Sequence, residues 1–389
     1  MHARMLRRVD ERLMRTALSW EAMTYFDVVR AGVPPRLSDV EVRTKAGVRG
    51  APGVDDAQVL LVTTLLKRGV EGPLLDLTAM GGLTRAALGA DVQVVEASRA
   101  ALTVLAAQGF GAAAAVPGDD VGTCAQVSAV LAGDRGNAHA EALTAWAHAS
   151  TAPGGTLYLA GDKDKGFERY FKRARAAFGA GEIIARDGGM RVAALTRTSQ
   201  AVVPVPAPTT YEVNQLQISA LPGVFSSAGL DFATQLLLGE APEVLGRSLA
   251  GLDIADYGCG AGVIGAHAAR AGAHVTMLDD DLSAVRSAQA TLAANGLAGR
   301  ALHSDVDSAL DAETFDAVLS NPPFHVGRRV VLDVTAAFIA SWGRRLRPGG
   351  VAVLVANDFL PYEPLLAAWG TVEELTRVRG FKVLAAQKA

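Results

Sequence analysis

The chain has 389 residues, half of them apolar and a fifth charged, which supports ordinary globular cores and excludes disorder by composition. Its length exceeds one typical core and predicts two domains, while a net charge of -3 excludes an overall basic footprint, so a nucleic-acid partner would have to meet local basic patches. The two cysteines, Cys124 and Cys259, lie far apart, which excludes a disulfide framework or a zinc site by spacing and fits a reducing cytosol.

Over residues 1–30 apolar positions such as Leu6, Leu13, Ala17 and Trp20 recur at helical spacing, and the arginines among them, interrupted by Asp10 and Glu11, read as a solvated helix face. No secretory or transmembrane run is visible, so a cytoplasmic protein without a membrane partner is expected. Gly32, Pro34 and Pro35 end the helix. A second helix is predicted over 58–66, strands over 74–77 and 92–96, and a further buried strand over 156–160 after Pro153-Gly154-Gly155; helical patterns intervene, as in βαβ units. Just after that strand Lys163, Lys165, Arg169, Lys172, Arg173 and Arg175 cluster. Such a patch either meets phosphates through counterion release or is an exposed helix face. Prolines at 204, 206 and 208 predict an extended connector, which places the domain boundary between residues 1–203 and 204–389.

The second half repeats the first at low fidelity. Strand 252–256 matches 74–77, strand 275–279 matches 92–96, and Pro348-Gly349-Gly350 with 351–355 matches 153–160. An ancestral duplication into two α/β, Rossmann-like domains explains this. The copies differ in chemistry: the first has Thr78-Ala79-Met80-Gly81-Gly82 where the second has Tyr257-Gly258-Cys259-Gly260-Ala261-Gly262. Gly258, Gly260 and Gly262 follow a strand and open a helix, a geometry that lets backbone approach a ligand but that nicotinamide and flavin enzymes share. Asp256 at the head of the loop would repel a pyrophosphate and suits an ammonium group. Asp279, ending the next strand, suits ribose hydroxyls, and Asp280 beside it joins the same set; a helix-capping charge is the other reading for Asp280 or Asp281.

After strand 315–319 comes Ser320-Asn321-Pro322-Pro323-Phe324-His325. Two prolines cannot donate to a ladder, so the strand stops in a rigid elbow with free carbonyls. The Asn321 carboxamide oxygen, the Pro322 carbonyl and the Phe324 ring together suit a planar, amine-bearing group such as a nucleobase; a plain strand-end turn is the alternative.

Asn321-Pro322-Pro323-Phe324 resembles the amino-group methylation motif of class I S-adenosyl-L-methionine (AdoMet) methyltransferases acting on nucleobase or glutamine nitrogen. Extended through His325-Val326-Gly327, with Pro222-Gly223-Val224-Phe225-Ser226 upstream and Asn357-Asp358-Phe359-Leu360-Pro361-Tyr362 downstream, it resembles the RsmC/RlmG type of rRNA (guanine-N2) methyltransferase, the small-subunit RsmC branch most. The resemblance implies tandem class I methyltransferase domains, the N-terminal one degenerate and positioning RNA, the C-terminal one catalytic. It implies one AdoMet, held by Asp256, Gly258, Gly260, Gly262, Asp279, Asp280 and Asn321, with Asp305 and Val306 at the adenine and Phe225, Asp231 and Thr234 on a lid. A purely local role would make Asp305 a loop cap and Asp231 a helix cap. Asn321 and Pro322 would accept the N–H bonds of a guanine N2 amine while Phe324 stacks on the base. His325, Arg328, Arg329, Lys163 and Lys165 would meet small-subunit (16S) rRNA or its assembly intermediate. A monomer without metal is expected. Alternatives are a large-subunit guanine, adenine N6 or a protein glutamine as acceptor, or a non-catalytic RNA-binding module; a nicotinamide oxidoreductase explains the glycines but not the elbow.

Overall fold

The computed structural model describes residues 25–198, 202–227, 229–245, 248–323, 325–326, 329–330 and 332–389; most of the helix expected over 1–30 lies outside them. In the first sheet the strands are β1 Leu74–Asp76, β2 Val92–Glu96, β3 Ala112–Ala114, β4 Cys124–Val130, β5 Thr151–Asp162, β6 Gly179–Asp187 and β7 Met190–Arg197. They lie in the order β3-β2-β1-β4-β5-β7-β6, parallel through β5 and antiparallel beyond. A hairpin of β8 Thr209–Val213 and β9 Leu216–Ala220 precedes the second sheet. There β10 Asp253–Tyr257, β11 His274–Asp279, β12 Arg300–His303, β13 Phe315–Ser320, β14 Leu346–Asn357, β15 Gly370–Val378 and β16 Phe381–Lys388 lie in the order β12-β11-β10-β13-β14-β16-β15, with the same senses. The two orders are one topology, as the internal repeat requires.

The helices are α1 Asp56–Lys67, α2 Leu83–Leu88, α3 Arg99–Ala107, α4 Gly136–Ser150, α5 Phe167–Phe178, α6 Phe232–Leu245, α7 Val263–Arg270, α8 Leu282–Ala294, α9 Leu332–Arg345 and α10 Glu363–Ala367. They cover both faces of the sheets, which is why the central strands are apolar runs without alternation. Along β10, Ala255 and Tyr257 face a core with Phe338 and Trp342, whereas Ile254 faces one with Met277 and Val353. Asp55 starts α1 by accepting from the Ala57 and Gln58 N–H groups, and Asp281 starts α8 by accepting from Ser283 N, two N-caps of the expected chemistry.

The halves meet through equivalent loops, those that follow β2 and β11. Arg99 N donates to the Asp280 carbonyl (2.9 Å) and Leu282 N to the Ala97 carbonyl (3.0 Å), with Ser98 and Asp281 bridged antiparallel. Each copy therefore gives the other the same bond, an approximate two-fold relation that aligns the carboxyl ends of the two sheets against each other. His303 Nε2 reaches both carbonyls, at 2.9 and 2.8 Å, and Arg286 pairs with Asp119 at 2.6 Å.

Candidate active site

In an open sheet of this order the ligand crevice lies outside the carboxyl ends of the first strand and its neighbour across the reversal, here β10 and β13. Ser320 Oγ ties their ends by donating to the Tyr257 carbonyl at 2.7 Å. Gly258 N and Cys259 N then donate to the Leu278 carbonyl (2.8 and 3.1 Å), and Gly260 N to Asp279 Oδ2 (2.9 Å), while Asp279 Oδ1 accepts from Asp281 N. Gly260 has φ +54° and a Cβ there would meet nothing within 4 Å, so its face borders open space. That space is a cavity of about 460 Å³ whose walls include Phe225, Asp231, Thr234, Gly258, Gly260, Asp279, Asp280, Asp305, Val306, Asn321 and Pro322, a volume in the range of small-molecule sites. Burial pushes the Asp279 carboxyl up to about 6, against the two N–H donors.

The elbow's chemistry follows from its hydrogen bonds. Asn321 Nδ2 donates to Thr234 Oγ1 (3.0 Å) and Asp231 Oδ1 (3.4 Å). A carboxylate only accepts, so the amide nitrogen is the end that faces it, and the Asn321 oxygen is left as an acceptor. Asp231 also caps α6 through Thr234 N (3.1 Å), so the lid residues hold the elbow as well as walling the cavity. The Pro323 carbonyl is taken by Thr335 Oγ1 at 2.8 Å; among the described residues none donates to the Pro322 carbonyl. Phe225 is 67% exposed at the cavity mouth. Phe324 and Arg328 lie outside the described residues, and His325 and Arg329 are described as backbone, in a two-residue ladder directly after the elbow.

Several assigned residues sit differently from expectation. Asp256 is fully buried beneath the loop, absent from the cavity wall, with Oδ2 accepting from Gly265 N at 2.9 Å; its burial follows from β10 being central, and it acts by shaping the loop. Gly262 also lies behind the wall, where a Cβ would come within 2.9 Å of the Ala288 Cα, so this glycine lets α7 approach α8. Asp280 borders the cavity, but its Oδ1 accepts from Ala100 N of the first domain at 2.7 Å, while Asp281 caps α8. Val306, a β-branched residue, has φ +57°, a strained conformation of the kind found at functional walls; Ser304 Oγ holds its carbonyl at 2.9 Å.

The N-terminal domain supplies walls that sequence reasoning missed: Tyr25 and Arg135 border the cavity, Lys45 pairs with Asp305 at 2.7 Å, and Arg135 pairs with Asp281 and reaches the Gly223 carbonyl of the lid. One signal was present in the sequence. Lys45-Ala46-Gly47-Val48 aligns with Leu221-Pro222-Gly223-Val224, and Gly47 and Gly223 share φ +90°, so the duplication includes the lid. Lys163 and Lys165 form a short turn at the carboxyl end of β5; Lys165 reaches Asp134, adjacent to Arg135.

The first copy's glycine loop has the same backbone without the space. Met80 has φ +50° where Gly260 has +54°, Met80 N donates to Glu96 Oε2 (2.6 Å) as Gly260 N does to Asp279, and Gly82 N to the Ala79 carbonyl as Gly262 N to Cys259. The Met80 side chain is buried with Leu60, Leu61, Leu105 and Tyr158, filling what the glycine leaves open.

A reversing sheet, a glycine loop followed by an acid-ended strand, and an Asn-Pro-Pro elbow at the reversal define a class I methyltransferase, and residues 215–385 match the family model described as Methyltransferase small domain. The Ribosomal RNA small subunit methyltransferase C of Chromohalobacter salexigens is 38% identical over 239 residues, 61% of this chain and 71% of that protein; that of Pseudomonas aeruginosa is 35% identical over 255 residues, 62% and 73%. The solved T. thermophilus 16S rRNA N2 G1207 methyltransferase (RsmC), in complex with AdoMet and guanosine, is 39% identical and superposes with a TM-score of 0.84 over 94% of this chain and all of that one. The chain belongs to the Ribosomal RNA small subunit methyltransferase C family.

Proposed function

We infer that this chain transfers the methyl group of AdoMet to the exocyclic N2 of a guanine in 16S rRNA. The observation that carries the reading is the Asn321 amide, whose nitrogen is anchored by Thr234 and Asp231 so that its oxygen serves as an acceptor beside the cavity; the relative solved with AdoMet and guanosine supports both ligands. The cavity fits AdoMet: an open face at Gly260, a carboxylate at Asp279 for ribose hydroxyls and one at Asp305 for the adenine amine. AdoMet supplies an activated methyl on sulfonium, so the transfer asks for no Lewis acid.

A guanine N2 is a poor nucleophile because its lone pair is delocalised into the ring. Asn321 Oδ1 and the Pro322 carbonyl accept its two N–H bonds, favour a pyramidal nitrogen and orient its lone pair. Those bonds strengthen as positive charge develops on the nitrogen, so their contribution is greatest in the transition state. Phe324 is assigned to base stacking, and His325, Arg328, Arg329, Lys163 and Lys165 to the RNA. A base in a duplex must be flipped to reach the elbow. In this reading residues 204–389 catalyse, residues 1–203 position RNA, and the chain acts as a monomer. The rRNA substrate implies a cytoplasmic site of action; no helix among the described residues is long and apolar enough to cross a membrane.

The test is transfer of labelled methyl from AdoMet to small subunits or 16S rRNA from cells lacking the gene. Label in N2-methylguanosine is expected; label in N6-methyladenosine, or only in protein, would overturn the acceptor.

A further inference from the structure

We propose that Lys45, in the N-terminal domain, is a positioning residue for AdoMet: with Tyr25 it holds the Asp305 carboxylate in the orientation that reads the adenine amine. The proposal rests on the reading that Asp305 faces the adenine, and extends it to residues more than 250 positions away in the chain.

The Lys45 and Asp305 side chains are 0% and 3% exposed, with Nζ 2.7 Å from Oδ2. The ammonium also donates to the Ala46 carbonyl at 2.8 Å and faces the Tyr25 and Phe26 rings, 3.9 and 5.8 Å to their centroids, so its donors are used by a carboxylate, a carbonyl and π faces. Tyr25 OH donates to the other carboxylate oxygen, Oδ1, at 2.8 Å. Each Asp305 oxygen thus has one donor from the first domain and keeps acceptor capacity. Tyr25 and Asp305 both border the cavity. The backbone is held too: Asp305 N donates to Ser308 Oγ at 3.0 Å, and Val306 follows in its left-handed conformation.

A buried ion pair is a poor source of net stability, because desolvating two charges offsets most of their attraction. Its effect here is geometric: a carboxylate gripped on both oxygens cannot rotate, and it stays an acceptor. Such an acceptor favours a 6-amino purine over a 6-oxo purine, which presents an oxygen to the same carboxylate.

The test compares S-adenosylhomocysteine with S-inosylhomocysteine by calorimetry on the full-length protein. Wild type should prefer the adenine ligand by about tenfold to a hundredfold, the range for a hydrogen bond to a charged group. Lys45→Met, which keeps most of the side-chain volume, should compress that ratio to about threefold or less, and Tyr25→Phe to an intermediate value. A merely structural role for Lys45 weakens both ligands alike and leaves the ratio intact, so an unchanged ratio in Lys45→Met overturns the proposal while sparing the Asp305 reading. If Lys45→Met does not fold, Tyr25→Phe decides in the same way, an unchanged ratio again overturning it. No preference in wild type removes both readings.

Discussion

Asn321 has its amide nitrogen tied to Thr234 and Asp231, so its effect on rate separates from its effect on cofactor binding. Removing one preorganised partner of a developing charge costs on the order of a hundred- to a thousandfold. Asn321→Ala should lower single-turnover kcat by that much with little change in AdoMet affinity, and Thr234→Val, which removes one anchor, by about tenfold or less; an Asn321→Ala enzyme of undiminished rate would remove the elbow from catalysis. A second residue-scale effect concerns protons. Burial pushes the Asp256 carboxyl up to about 7, opposed by the Gly265 N–H and reinforced by the charge of Asp279. The folded protein then keeps a proton that the unfolded chain, titrating near 4, has released, so this contribution to stability is full below about pH 4 and is lost as pH rises to about 7. Melting of the AdoMet-free protein should show Asp256→Asn losing less stability than wild type between about pH 4.5 and about 7.5; parallel curves would mean Asp256 is ionised throughout.

The two glycine loops form an internal control at the level of the element. They share hydrogen bonds and left-handed backbone, yet Met80 fills the place that Gly260 leaves empty. One AdoMet per chain is therefore expected. Gly260→Met should weaken AdoMet binding by more than about a hundredfold, a loss of about 2.7 kcal/mol, with melting lowered only by the modest cost of a side chain at positive φ. Retained affinity would place the cofactor elsewhere. This loop was legible from sequence because a tight turn opening a helix needs glycines. The elbow was legible because two prolines directly after an apolar strand must end its ladder and leave carbonyls free. The burial of Asp256 was not legible because the same spacing serves an acid in the wall or one beneath it; packing by neighbouring strands decides, and that is tertiary. Asp280 borders the cavity as expected, but its bond to Ala100 N was not legible, because that partner belongs to the other domain. For Lys45 the repeated Gly-Val pair beside it marks the segment but not the side chain's role, which comes from Asp305 in the other domain.

Across the whole molecule, the reciprocal bonds of Arg99 and Leu282 set the carboxyl ends of both sheets face to face, so the copy whose own loop is filled by Met80 helps to wall the other's cavity. This arrangement puts the turn Lys163–Lys165 beside Arg135 and hence near the cavity mouth. Of the cluster, Lys165 and Arg173 are paired with Asp134 and Glu141 and Arg169 donates to Tyr170 OH at 3.0 Å, while Lys163, Arg169, Lys172 and Arg175 are exposed. Charge reversal at Lys163, Arg169 and Lys172 should weaken rRNA binding, reduce the slope of log affinity against log salt by up to about three and leave AdoMet affinity alone; an unaltered slope would make the cluster a solvated face.

The most direct measurement of the central claim is nucleoside mass spectrometry of 16S rRNA from a strain lacking the gene, complemented with the wild-type chain or with Asn321→Ala. Loss of one N2-methylguanosine in the deletion, its return with the wild type and its near absence with Asn321→Ala are the expected results. Unchanged N2-methylguanosine with loss of a different methylated residue would contradict guanine N2 as the acceptor, and full restoration by Asn321→Ala would contradict the elbow as the site of transfer.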